Sequence, residues 1–198
     1  AAHTPGHSSN HLCYLLPEEK MLFSGDHIME GSTVVIRPPD GDMATYLESL
    51  AKVRQLRLRS IAPGHGHLIE DPKERIDSYI EHRLEREEQV RQVLARLGTA
   101  KVDALVAEIY AGLDPELVSP AKRTVHAHLL KLAAEGKVIV VDNWGFDAPK
   151  TKDAKAALDA LGITGTALVV VGRDDAAAAL SFRNLPKAQI IGPGELNA

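Results

Sequence analysis

The 198 residues, 44% hydrophobic and 25% charged, suffice for one large domain or two small ones and exclude disorder as the default. A net charge of -4 gives no bulk attraction to nucleic acid, and a lone cysteine, Cys13, excludes an intrachain disulfide. With no apolar run of membrane-spanning length and no signal-type n-region and h-region, a cytoplasmic location without membrane contact is expected.

In chain order, the apolar runs LCYLL (12–16) and MLF (21–23) flank Pro-Glu-Glu-Lys, the pattern of a hairpin with a polar turn. Asp26 and His27 follow the second strand. After a Gly- and Pro-rich loop (31–41), Met43, Leu47, Leu50, Val53 and Leu56 recur at helical spacing. SIAPGHGH then reads as a short buried strand entering a tight Gly-His loop. From Pro72, a favourable first helical position, a long and strongly charged helix runs to Gly98. Two further helices are expected, VDALVAEIYAGL and a second one starting behind Ser119-Pro120 and stopping at Gly136, and a β run, KVIVVDNW, follows them. Helix, helix and strand in that order suit a small winged-helix module. From about Lys137, VIVV, ALVVV and AQIIG alternate with TKDAKAALDALG and DDAAAALSFRNL, which predicts a parallel βαβαβ tail. The expected divisions are 1–70, 71–137 and 138–198.

Histidine is the unusual feature. Four of the nine lie at positions 3, 7, 11 and 27, and two more, His65 and His67, flank Gly66. His7 behind Pro5-Gly6, Asp26 behind Ser24-Gly25 and His65 behind Pro63-Gly64 each stand at a strand end beside a glycine. Such loops let a rigid scaffold hold side chains while the glycine lets the backbone approach. Two imidazoles and one carboxylate suit zinc. Taken singly, a histidine in a Gly-rich turn is more often a surface hydrogen-bonding residue.

Taken together, HTPGHSSNHLCYLL, FSGDHI and APGHGH resemble the metallo-β-lactamase superfamily over residues 1–138. The long helix after Pro72 and the string TVHAHLLKLAAEGKV look most like its branch of lactamase-like hydrolases with a C-terminal winged helix, which includes endoribonucleases and thioesterase-like enzymes. The resemblance implies that His7 binds a first zinc ion, that Asp26 bridges two and takes the catalytic role, and that His65 binds the second. His3, His11, His27 and His67 match no ligand position; His11 and His67 are then supporting or surface residues. The family's first metal motif, His-x-His-x-Asp-His, occurs nowhere in the chain. The implied fold is therefore mixed α/β: half of an αββα sandwich, a winged-helix-like helical module and a small parallel βαβαβ tail.

The tail resembles another family. APKTK, SFRNLP and ELNA within residues 138–198 look like the C-terminal part of the bacterial large-subunit ribosomal protein L-four. In that setting Lys150, Lys152, Arg173, Arg183 and Lys187 would meet RNA phosphates, whereas acidic neighbours at 153, 159, 174 and 175 favour a solvated face. Two unrelated resemblances meeting near AAEGKV (133–138) imply a chimera. The readings that follow are a recombinant protein of zinc-hydrolase ancestry without full activity, a residual mononuclear zinc hydrolase, and an RNA-binding module. Exposed apolar faces of a half-sandwich would favour a homodimer or larger assembly.

Overall fold

The computed structural model describes residues 1–97, 100–138, 144–163, 167–170, 175–186 and 188–191. Its main sheet has the order β1 (Ala2–His3), β2 (Leu12–Leu16), β3 (Met21–Gly25) and β4 (Ser60–Pro63). β1 and β3 both pair antiparallel with β2, while β4 pairs parallel with β3. The polar turn Pro17 to Lys20 closes the expected hairpin, with Tyr14 opposite Phe23 and Leu15 opposite Leu22. The strand pleat buries Cys13 and Leu22 and turns Leu12, Tyr14, Leu16 and Phe23 outward, where they stay exposed.

Parallel pairing of β3 with β4 needs a crossover, which α1 (Met43–Arg54) provides. Asp42 starts it: its carboxylate accepts from the Thr45 amide at 2.7 Å. Met43, Tyr46, Leu50 and Val53 recur at intervals of three and four, so one face of the helix is buried against the sheet's inner face. These residues, with Cys13, Leu22, Ile28, Ile36 and Ile61, form the first apolar cluster.

The long helix α2 (Pro72–Leu97) gives Ile76 and Tyr79 to that cluster and, further along, Val90 to a second one. The second cluster is completed by α3 (Val102–Ile109) and α4 (Pro115–Ala134) through Leu105, Val106, Val125, Leu129 and Leu132. Between the clusters α2 buries charge rather than hydrocarbon. Arg83 is 2% exposed, and Glu87 accepts from Lys131 Nζ at 2.8 Å with His128 Nδ1 at 3.4 Å.

α4 corrects the expected start behind Ser119-Pro120. It begins five residues earlier because Asp114, whose carboxylate accepts from the Glu116 amide at 3.0 Å, and Pro115 already form a complete helix start. Pro120 is accommodated inside the helix, where its ring forfeits one backbone hydrogen bond.

In the tail, α5 (Thr151–Ala160) precedes β5 (Ala167–Val170), α6 (Ala176–Phe182) and β6 (Ala188–Ile191), and β5 pairs parallel with β6. Most of the first expected tail strand, 139–143, lies outside the described residues, as do Arg173 and Lys187. Ala154, Leu158, Ala178 and Phe182 make a third cluster, with the Trp144 ring edge-on to Phe182 at 4.6 Å. Among the described residues no helix is long and apolar enough to cross a membrane.

Candidate functional site

The pairing directions decide where the histidine loops fall. Since β1, β3 and β4 run the same way, the segments leaving Ala2–His3, Met21–Gly25 and Ser60–Pro63 all emerge at one end of the sheet. That end, the carboxyl end of the strands, is where α/β sheets commonly hold ligands. His7, Asp26 and His65 thus share a rim although the sequence separates them widely.

Two glycines let the loops close. Gly6 has φ of 125°, and a Cβ there would stand 2.3 Å from the Tyr46 Cα, so the first loop lies directly on the α1 backbone. The Asp42 amide donates to the Gly6 carbonyl at 2.9 Å and seals that contact. Gly64 donates to the Gly25 carbonyl at 2.8 Å, and a Cβ on it would approach Asp26 Oδ1 to 2.9 Å. Only bare backbone fits beside that carboxylate.

Asp26 is the centre of the rim. Its Oδ1 lies 3.3 Å from His65 Nε2 and its Oδ2 lies 4.0 Å from His7 Nε2. His7 Nδ1 donates to the Val35 carbonyl at 3.1 Å. Because a carbonyl only accepts, that bond puts a proton on Nδ1, so that in the neutral ring Nε2 carries the lone pair, on the side of Asp26. His65 is mostly exposed.

The other histidines do different work. His11 Nδ1 pairs with Thr4 Oγ1 at 3.0 Å, and its Nε2 is within 3.1 Å of where a Gly25 Cβ would stand. Burial lowers its pKa, with the nearby His7 adding to the shift and Asp26 opposing it. His27 is fully buried, 5.6 Å from the His11 ring and 5.0 Å from Tyr46, and among the described residues neither ring nitrogen has a hydrogen-bond partner. Burial, then the neighbouring His11 and His7, pushes its pKa down to about 3. It is a neutral packing group beneath the rim. His3 Nε2 donates to the Ser9 carbonyl at 3.0 Å, and His67 is exposed.

In kind, the donors fit zinc: a carboxylate between two imidazoles, one of them held by a backbone carbonyl through its far nitrogen. In number, they form part of a coordination sphere. His7 and His65 face opposite oxygens of Asp26, and among the described residues no group of three or more His, Cys, Asp or Glu side chains is placed to hold one ion.

Sequence reasoning missed the residues that hold this rim from behind. Tyr46 Oη donates to the His27 carbonyl at 2.8 Å, and Arg75, Tyr79 and Arg83 of α2 grip the loop after Asp26. Their signal was present as polar side chains four apart, but a charged helix reads first as a solvated one.

The sheet, one covering helical layer and a histidine–carboxylate rim at the strand ends make a mixed α/β domain, followed by a helical module. Residues 1–65 match the metallo-β-lactamase superfamily, and residues 102–145 match the β-lactamase associated winged helix domain. It is 37% identical over 140 residues to the β-lactamase-like protein 2 homolog of Drosophila melanogaster, covering 70% of this chain and 46% of that protein. It is 35% identical over 148 residues to an atrochrysone carboxyl ACP thioesterase of Aspergillus chevalieri, covering 70% of this chain and 46% of the relative. A solved metallo-β-lactamase family protein from Thermus thermophilus superposes with a TM-score of 0.57 at 27% identity, over 68% of this chain and 43% of that one. The chain thus spans about half the length of the curated relatives it matches.

Proposed function

We propose that this chain contributes part of a zinc-dependent hydrolase site, with His7, Asp26 and His65 as ligands and Asp26 as the catalytic carboxylate. The observation that carries the proposal is the His7 ring, tied through Nδ1 to Val35 with Nε2 toward one Asp26 oxygen while His65 faces the other. Zinc bound there would polarise a carbonyl and lower the pKa of a bound water. The chain's own residues hold the imidazoles on either side of the carboxylate, and Asp26 would accept a proton from the attacking water. The thioesterase among the relatives makes a thioester a reasonable first substrate to assay.

With a partial ligand set, turnover is expected to be weak, and zinc binding is the better readout. Zinc-loaded protein should retain metal after dialysis, and Asp26→Asn should weaken binding at least tenfold, about 1.4 kcal/mol. No metal retained by the unsubstituted chain would overturn the reading.

The same preparation tests self-association. The outward side chains of Leu12, Tyr14, Leu16 and Phe23 are themselves uncharged and exposed, so an identical set can meet them without like-charge repulsion between them. We take its occupant to be a second copy, which would bring its own histidine rim to the interface. A dimeric native mass that becomes monomeric in Tyr14→Lys/Phe23→Lys supports this, and a monomeric mass at all concentrations refutes it.

A second reading concerns residues 138–198, proposed as a ribosomal-protein-type segment joined to the hydrolase part. What it requires, an α/β unit with a core of its own, is met by the third cluster around Phe182 and the parallel β5–α6–β6 unit. If the tail binds RNA through Lys150, Lys152 and Arg183, affinity should fall steeply as salt rises, and salt-independent binding would count against it.

A further inference from the structure

The loop between Asp26 and α1 has no strand pairing over residues 33–37, yet it supplies the carbonyl that orients His7. Its shape is imposed from α2. Arg75, Tyr79 and Arg83, four residues apart, stand on one side of that helix and direct their donors at successive backbone carbonyls. Arg75 Nη2 donates to Met29 at 2.8 Å, Tyr79 Oη to Ser32 at 2.5 Å, and Arg83 Nη2 to Val34. The next carbonyl, that of Val35, receives the His7 Nδ1 proton.

Arg83 differs from the other two. It is 2% exposed, and its guanidinium lies 5.5 Å over the Tyr46 ring, whose hydroxyl holds the His27 carbonyl next to Asp26. A buried cation is costly unless well paired, and its Nε has no partner. An apolar side chain would fill that space at less cost. What the guanidinium adds is a fixed grip on Val34 and, through Tyr46, contact with the strand end carrying Asp26.

We propose that Arg83 is a positioning residue for the rim, setting the Val34–Val35 backbone so that His7 is held as its Nδ1–H tautomer with Nε2 free. Its functional meaning rests on the reading of His7 as a zinc ligand, but its test does not need zinc. Long-range nitrogen–proton NMR of the full metal-free chain, at a pH above the ordinary imidazole range, assigns the tautomer of each histidine.

The expected spectrum shows His7 as Nδ1–H, and Arg83→Met turns most of the population to Nε2–H, the form free histidine prefers. Tyr79→Phe, which releases the Met29 and Ser32 backbone but leaves the Val34 contact, should leave His7 unchanged while lowering stability. Zinc affinity of Arg83→Met should fall at least tenfold, as for loss of a group that orients a ligand. The proposal is overturned if wild-type His7 is Nε2–H, a result that requires no variant to fold. It is equally overturned if folded Arg83→Met keeps the Nδ1–H form, or if Tyr79→Phe shifts the tautomer as far. Should Arg83→Met fail to fold, Arg83→Gln, too short to reach Val34, replaces it with the same expected tautomer change. A tautomer that follows Arg83 in a chain that never binds zinc would leave the positioning role standing and remove the ligand reading.

Discussion

Gly6→Ala should cost about 4 kcal/mol, a value at the severe end for single substitutions. In a chain of this size that lowers the thermal midpoint by roughly 8–16 °C. The methyl group would enter space already filled by the α1 backbone, 2.3 Å from the Tyr46 Cα and 2.4 Å from its nitrogen. Neither atom can yield without shifting the helix start. The backbone angle compounds the clash, since φ of 125° is a conformation that only glycine adopts without strain. Calorimetry or chemical denaturation checks the prediction, and a midpoint shift under 2 °C, worth less than about 1 kcal/mol, would refute the close approach. Gly112→Ala is the useful contrast. It also has positive φ, but no atom lies within 4 Å of the added methyl, so only the backbone strain remains.

Acid should destabilise the fold well before its carboxylates titrate. His27 and His128 are buried, and burial depresses both below 6.5. The unfolded chain takes up these protons near pH 6.5 while the folded chain refuses them. The unfolded state therefore binds more protons, and stability falls as pH drops through that value. For His27 the loss continues down to about pH 3. At about 1.4 kcal/mol per pH unit, this histidine alone accounts for about 4–5 kcal/mol over the full window. Glu87, also depressed by its bonds to His128 and Lys131 although burial opposes the shift, extends the loss to lower pH. Urea midpoints measured at neutral pH and near pH 5 should differ clearly, and His27→Phe should flatten the dependence. Equal midpoints would show that His27 has a proton partner in solution.

The hairpin, α1 and α2 were legible because each carries a local and redundant signal. Apolar runs around a polar turn, the helical spacing from Met43 to Leu56 and Pro72 at a first turn all act over a few residues, so tertiary contacts had little to overrule. The rim was legible for another reason: glycine, histidine and aspartate at strand ends advertise a loop that must approach something closely. Two misreadings have physical causes. Pro120 outweighed the better start at Asp114-Pro115, since proline in a helix is rare enough to pass for a boundary. Arg83 and Glu87 drew no assignment within a strongly charged helix, because helical periodicity marks a buried face by hydrocarbon. Here that face is partly built from ions paired with α4 and with a loop, partners that no local pattern could disclose.

The length of α2 has a consequence for cooperativity. At 26 residues it extends roughly 39 Å, taking 1.5 Å per residue, and both larger apolar clusters depend on it. Neither cluster can come apart without stripping one half of this helix of its burial, and a frayed half weakens the other through the shared backbone ladder. The sheet domain and the helical module are therefore joined as one foldon, so that amides along the whole of α2 should open together in hydrogen exchange. The cluster that α3 and α4 complete therefore also supports the helix whose Arg75, Tyr79 and Arg83 hold the loop beside the histidine rim.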